Sequence, residues 1–287
     1  MPREPKDATA LTRASNRAVL DALPFADGQD FEDARRGFVA TLPEVEIKNA
    51  DGRVVWTLRD YGFLDDAEAP ATVNPSLWRQ ARLNMHHGLF QVTDGIYQVR
   101  GFDISNMTIL EADRGIVVID PLISTEVARV ALDLYVHHRG ARPVTAVIYS
   151  HSHTDHYGGV RGVVDEADVR AGRVEIWAPD RFMHEVVSET VLAGTAMVRR
   201  AQFQFGATLP RGPRGQVPCG PGGGGAHCRR GPAATLRDSE VGRSYTEALV
   251  ASSPRVSRRG GQRSIPATLS AAPDSPETRP ASSGPAW

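Results

Sequence analysis

Cysteine is nearly absent from this chain: its 287 residues include two, Cys219 and Cys228, both late. Two thiols do not make a disulfide framework, and their spacing, with His227 beside one of them, matches no short zinc-knuckle pattern. Both read as incidental. An excess of one charge sign is missing as well. The 33 basic residues balance 34 acidic ones, so the global field favours neither nucleic acid nor an anionic membrane. No run approaches the roughly 18 apolar residues of a membrane-spanning helix. Met1-Pro2-Arg3-Glu4-Pro5-Lys6-Asp7 has no apolar segment behind its charges, so no secretory signal is read and a cytoplasmic location is expected.

Large apolar residues fail in the last part of the chain. After Phe205 there is no further Phe, the only Trp is Trp287, and Ile265 is the only Ile. Gly and Pro together reach roughly 30% from Arg211 onward, a low-complexity level. Such a segment cannot bury enough apolar surface to offset its ordering entropy. The sequence therefore divides into an N-terminal helical and hairpin extension (1–80), a globular domain (81–217) and a tail expected to be disordered (218–287).

Periodicity sets the expected elements. Asp7 is a candidate cap for a helix to about Leu23, with Leu11, Ala18, Val19 and Ala22 on one face. A second helix is expected over Phe31 to Thr41, and a hairpin pairs Val45–Lys48 with Arg53–Leu58 around Asn49-Ala50-Asp51-Gly52. A short helix starts at Ser76 and ends near His86-His87. Two further hairpins turn at Thr93-Asp94-Gly95 and Asp113-Arg114-Gly115, the last strand running into Asp120-Pro121. Helical spacing over Thr125–His138 precedes the apolar strand Thr145–Tyr149. A helix over Gly158–Ala167, a strand at Val174–Trp177 and a helix over Arg181–Leu192 complete an α/β layered domain.

At the C-terminal end of that apolar strand stands His151-Ser152-His153-Thr154-Asp155-His156. Imidazole and carboxylate are ligands for zinc and similar borderline metals. Side chains two apart on an extended segment point the same way, so His151 and His153 share one ion. Asp155 and His156, past the turn, face a second. Two ions roughly 3.5–4 Å apart polarise a bond to be hydrolysed. Gly158-Gly159 permit a tight turn after the loop. Asp120, ending the preceding strand, is either an acidic support beneath this loop or a turn-initiating residue before proline. The pairs His86-His87 and His137-His138 diverge on helices and read as solvated or outer groups, and His184 as structural.

His-x-His-x-Asp-His in this position resembles the metallo-β-lactamase superfamily. Its surroundings resemble the alkyl sulfatases, which hydrolyse dodecyl sulfate and related surfactants. The resemblance runs from Gly101-Phe102-Asp103-Ile104-Ser105-Asn106-Met107-Thr108 through Ile119-Asp120-Pro121-Leu122 and Val147-Ile148-Tyr149-Ser150. It continues at Gly159–Val169, Ala178–Met183, Ala193–Arg200 and Gln204–Gly212, and covers about residues 30–217. It implies a metallo-β-lactamase-like αββα sandwich with two zinc ions. His151, His153, Asp155 and His156 are the implied metal ligands, and Asp155 and Asp120 the implied catalytic carboxylates. The implied reaction cleaves an alkyl sulfate to alcohol and sulfate by a metal-activated water, with an apolar cleft for the alkyl chain.

The family's later ligands, helical dimerisation region and sterol-carrier-like domain are not recognisable after residue 217. The sandwich is therefore expected to be incomplete and activity impaired; a homodimer is implied for complete relatives, and with that region unrecognised the oligomeric state of this chain stays open. The abrupt change to Arg, Pro, Gly, Ala and Ser motivates the hypothesis of a frameshift near codon 217; translation of the other frames without any trace of the missing ligands would refute it. The alternatives are another hydrolase of the same fold, acting on a thioester, lactam or phosphodiester, or an inactive fragment.

Overall fold

A computed structural model describes residues 5–43 and 45–218 of the chain. The expectations for the tail, including Cys219, His227 and Cys228, lie outside the described residues.

The N-terminal helix α1 (Ala10–Ala22) starts two residues later than the sequence pattern suggests. Thr9, not Asp7, caps it by accepting a hydrogen bond from the Thr12 N–H, while Asp7 pairs instead with Arg214. Its expected apolar face is not buried: Leu11 is 81% exposed. The second expected helix is shorter still. Helix α2 (Gln29–Arg35) stops before Gly37, whose φ of +75° leaves the helical region, and the chain continues as strand β1 (Phe38–Ala40). Helical spacing continued past that glycine only by coincidence of apolar residues.

The first hairpin forms as expected from β2 (Glu46–Lys48) and β3 (Val54–Thr57), closed by the Asn49 side chain accepting from the Asp51 and Arg53 N–H groups. Helix α3 (Pro75–Leu83) is capped by Asn74, with proline at its first position, where no intrahelical N–H is needed.

The main sheet follows. Strands β4 (Gly88–Thr93), β5 (Ile96–Arg100), β6 (Met107–Ala112) and β7 (Gly115–Ile119) form an antiparallel meander. Helix α4 (Thr125–Arg139), capped by Ser124, then crosses over to β8 (Val144–Ile148), which lies parallel to β7. Helix α5 (Glu166–Arg170) leads to β9 (Glu175–Trp177), parallel to β8. The seven-stranded order is β1-β4-β5-β6-β7-β8-β9. One face of α4, with Val127, Ala131, Leu134 and Tyr135, packs into a continuous core with Ile109, Ile116, Val118 and Val147. The β2–β3 hairpin adds Ile47 and Trp56 to the same core.

The expected helix over Gly158–Ala167 resolves into a 3-10 turn (Val160–Gly162) and the short α5. The reason is steric. A side chain at Gly159 would place its Cβ 2.2 Å from the Pro121 carbonyl oxygen, and at Gly158 2.4 Å from that of Ile123. These glycines let the segment after the histidine motif lie against the β7–α4 loop, a packing incompatible with a helix there. The last expected helix also divides, into α6 (Phe182–Val186) and a π-helical turn (Val187–Leu192), before α7 (Gly194–Phe205). Among the described residues no helix is long and apolar enough to cross a membrane.

Candidate metal centre

The geometry of the site follows from strand order. Parallel β7 and β8 end side by side, so Asp120 after β7 and Ser150-His151 after β8 are neighbours. The Asp120 N–H donates to the Ile148 carbonyl, continuing the ladder one residue past the strand. Asp120 then turns at φ 56° and Leu122 at φ 64°, a left-handed conformation uncommon for residues with a Cβ. Such positions persist only where the surroundings hold them. Here the Leu122 carbonyl accepts from the Gly159 N–H, and the turned Asp120 carboxylate accepts from three donors.

Those donors are the Ser150 N–H (2.8 Å), the Ser150 hydroxyl (2.6 Å) and His156 Nδ1 (2.8 Å). Burial pushes the Asp120 carboxyl upward, but these hydrogen bonds outweigh it and hold it below the usual carboxylate range. Burial works the other way on His156. Its bonds to Asp120 and, through Nε2, to Asp155 (3.2 Å) overcome that effect and raise it to about 9. Asp155, pushed up by burial, is likewise pulled below its ordinary value by His156. His151 is shifted down, first by burial and then by the neighbouring His156 and His153.

The network also assigns tautomers. Ser150 donates its hydroxyl proton to Asp120, so its oxygen accepts from His151 Nδ1, 2.9 Å away. That leaves the lone pair of His151 on Nε2. This atom lies 3.1 Å from His153 Nδ1, while His153 Nε2 faces Glu189 Oε2 at 3.3 Å. Two imidazole nitrogens aimed at one point require either a shared proton or a cation between them. Zinc–nitrogen bonds of roughly 2.0–2.1 Å with tetrahedral angles separate two ligands by about 3.3 Å. The His151–His153 pair matches that edge, as does the His156–Asp155 pair at 3.2 Å. The donor types and both pair separations therefore fit a divalent metal. Among the described residues, no group of three His, Cys, Asp or Glu side chains is arranged to hold one ion.

The structure thus brings together all five residues singled out from the sequence: His151, His153, Asp155, His156 and Asp120. The other described histidines stay apart from them. His87 bonds the Thr41 hydroxyl at 2.7 Å, His137 and His138 meet edge-on at the exposed end of α4, and His184 pairs with Glu185.

Four contributors were missed. Ser150 adjoins the motif, yet no spacing rule marks a serine as the link between a carboxylate and an imidazole. Ser105 donates its hydroxyl to the Asp155 carbonyl, and Glu189 reaches His153 from far along the chain. Asp103 is 1% exposed and accepts from the Ile104 and Ile123 N–H groups, both at 2.6 Å, tying the β5–β6 loop to the β7–α4 loop. Burial pushes Asp103 up to about 7 despite those two donors. None carries a local signal, because each acts through a contact between distant segments. A cavity of about 580 Å³, lined by Phe63, Ala69, Pro70 and Trp78 among others, includes none of these groups.

Residues 100–235 match the metallo-β-lactamase superfamily. The chain is 56% identical over 215 residues to an (R)-specific secondary-alkylsulfatase of a Pseudomonas species, spanning 75% of this chain and 32% of that protein. It is 56% identical over 218 residues to a linear primary-alkylsulfatase, also from Pseudomonas, spanning 76% and 32%. An alkyl/aryl-sulfatase of Saccharomyces cerevisiae is 52% identical over 222 residues, spanning 77% and 34%. The solved structure of a stereoselective inverting sec-alkylsulfatase from Pseudomonas superposes with a TM-score of 0.71 at 56% identity, covering 75% of this chain and 34% of that one. The chain therefore spans about a third of the length of the relatives it matches. By the motif, the fold around it and these identities, the chain contains a region of the metallo-β-lactamase superfamily and is similar over that stretch to part of the alkylsulfatases.

Proposed function

We propose that the chain carries the metal-binding loop of an alkyl sulfate ester hydrolase, with His151 and His153 holding one zinc ion and Asp155 and His156 a second. The observation that carries this reading is the convergence of His151 Nε2 and His153 Nδ1 at 3.1 Å, with the outer nitrogens of both rings engaged by Ser150 and Glu189. When bound, a divalent ion supplies Lewis-acid polarisation of the ester and a water acidic enough to attack near neutral pH. Everything else falls to the chain's own groups. Asp120 fixes the His156 ring and, through Ser150, the His151 ring, which is the support that oriented metal ligands need. Without metal, Asp155 accepts the hydrogen bond that His156 Nε2 donates, and Ser105 holds the Asp155 backbone in place. Two donors per ion leave room for water, substrate and donors outside the described residues. Residues 81–217 are the part of the hydrolase domain that holds this loop, with 1–80 as an N-terminal extension that adds β1 to its sheet and the β2–β3 hairpin to its core.

The substrate class rests on the relatives, whose names specify primary, secondary and aryl sulfate esters. Zinc content per chain, measured after dialysis, and release of sulfate from dodecyl sulfate test the reading together. Zinc binding with sulfate release, and without turnover of lactam, thioester or phosphodiester substrates, is expected. Turnover of one of those substrates in preference to dodecyl sulfate establishes the alternative, another hydrolase of the same fold. A chain that binds no zinc and hydrolyses none of them is the inactive fragment.

A further inference from the structure

Glu189 lies 36 residues beyond His153 and in none of the motifs that identify the fold. It reaches the site because of two features of the segment after β9. First, α6 is fixed to both ends of the histidine motif by aromatic contacts. Phe182 stacks on Tyr149, just before Ser150-His151, with ring centroids 5.4 Å apart, and meets Tyr157, just after His156, edge-on at 5.3 Å. Phe182 and Val186 are both buried. Second, the next turn is π-helical. The wider turn, closed by the Ala193 N–H donating to the Ser188 carbonyl at 2.9 Å, carries Glu189 over the motif, where Oε2 lies 3.3 Å from His153 Nε2. Insertions of this kind cost regular helical bonding and recur at functional sites.

We propose that Glu189 is the positioning residue of His153, and that α6 with its π-turn is the arm that carries it. Asp120 and Ser150 orient His156 and His151, but neither touches His153 Nε2. Glu189 supplies the missing acceptor. It fixes the proton of His153 on Nε2 and turns Nδ1 toward His151 Nε2. The role rests on the reading of the loop as a metal site, but its effect on the imidazole tautomer exists without any metal.

The test therefore has two arms, on the full chain and on its Glu189→Ala and Glu189→Gln variants. In the metal-free proteins, nitrogen-15 shifts of the His153 ring report the tautomer. The proton is expected on Nε2 in the parent and in Glu189→Gln, whose amide oxygen still accepts, and distributed over both nitrogens in Glu189→Ala. In the second arm, chelator competition measures zinc affinity. A loss of roughly 10–100-fold is expected in Glu189→Ala and most of it is restored in Glu189→Gln, with the melting temperature of the metal-free forms unchanged. An Nε2 proton that persists in Glu189→Ala overturns the proposal. So does equal zinc affinity in all three proteins, or a loss that tracks the melting temperature. A parent with the expected tautomer and no zinc affinity refutes the metal reading instead and leaves the positioning of His153 standing.

Discussion

Replacing Asp103 by asparagine keeps the side chain's shape, removes its charge and alters the pH dependence of stability in a direction the structure fixes. The native carboxyl titrates at about 7 against an ordinary 3.8, first because it is buried. Between those values the unfolded chain has released its proton while the native protein still holds one. Fewer protons are bound in the unfolded state, so stability falls as pH rises across this window and levels off above about pH 7. The difference of 3.2 units, 7 minus 3.8, corresponds to at most about 4 kcal/mol. The asparagine variant loses this slope. At pH 5 it is the less stable protein by about 1–3 kcal/mol, because its amide NH₂ faces one of the two backbone donors, Ile104 or Ile123. At pH 8 the gap narrows or reverses, since only the parent then carries a buried charge. Urea denaturation followed by the fluorescence of the buried Trp56 and Trp78, with chelator present, measures the difference at each pH. Parallel curves for the two proteins from pH 4 to 8 would refute the argument.

Three more outcomes follow from the site. His156 titrates at about 9 and presents a proton to Asp155, so an ion taking up this pair displaces it; zinc affinity should rise with pH until about 9, and calorimetry in buffers of different ionisation enthalpy should find close to one proton released from this group near neutral pH. Asp120→Asn removes the charge that holds His156 and the acceptor of the Ser150 hydroxyl, so zinc affinity should fall roughly 10–100-fold; an unchanged chelator-competition curve would show that Asp120 serves the turn alone. Gly159→Ala places a Cβ 2.2 Å from the Pro121 carbonyl and should destabilise the protein by about 1–3 kcal/mol, read as a lower denaturation midpoint; a neutral result would mean that the β7–α4 loop yields freely.

Much of this protein is legible in its sequence because the signals are local. The hairpins of the meander are specified by alternating apolar residues and by Gly95 and Gly115, whose positive φ angles permit the turns. The α4 stripe and the largely apolar β8 fit a crossover onto a parallel strand, and the histidine motif at its end marks the candidate site. The failures are equally physical. A 3.6-residue period predicts burial for Leu11, but a periodic face is buried only if the rest of the chain supplies a surface, and among the described residues α1 meets none that covers it. Helical spacing likewise extends past Gly37 and across Gly158-Gly159, where the backbone must turn or approach another segment too closely for a helix.

The sequence by itself determined the candidate ligand residues, the strand that presents them and the resemblance they carry, since each is encoded within a few consecutive positions. Only the tertiary structure decided which nitrogen of each histidine faces inward. Ser150 and Asp120 make that choice for His151 and His156 through hydrogen bonds, Glu189 from the turn after α6 faces His153 at 3.3 Å, and Asp103 and Ser105 from the β5–β6 loop brace the loops behind them. A hydrogen bond depends on distance in space rather than along the chain, and these partners become neighbours only once the sheet has formed.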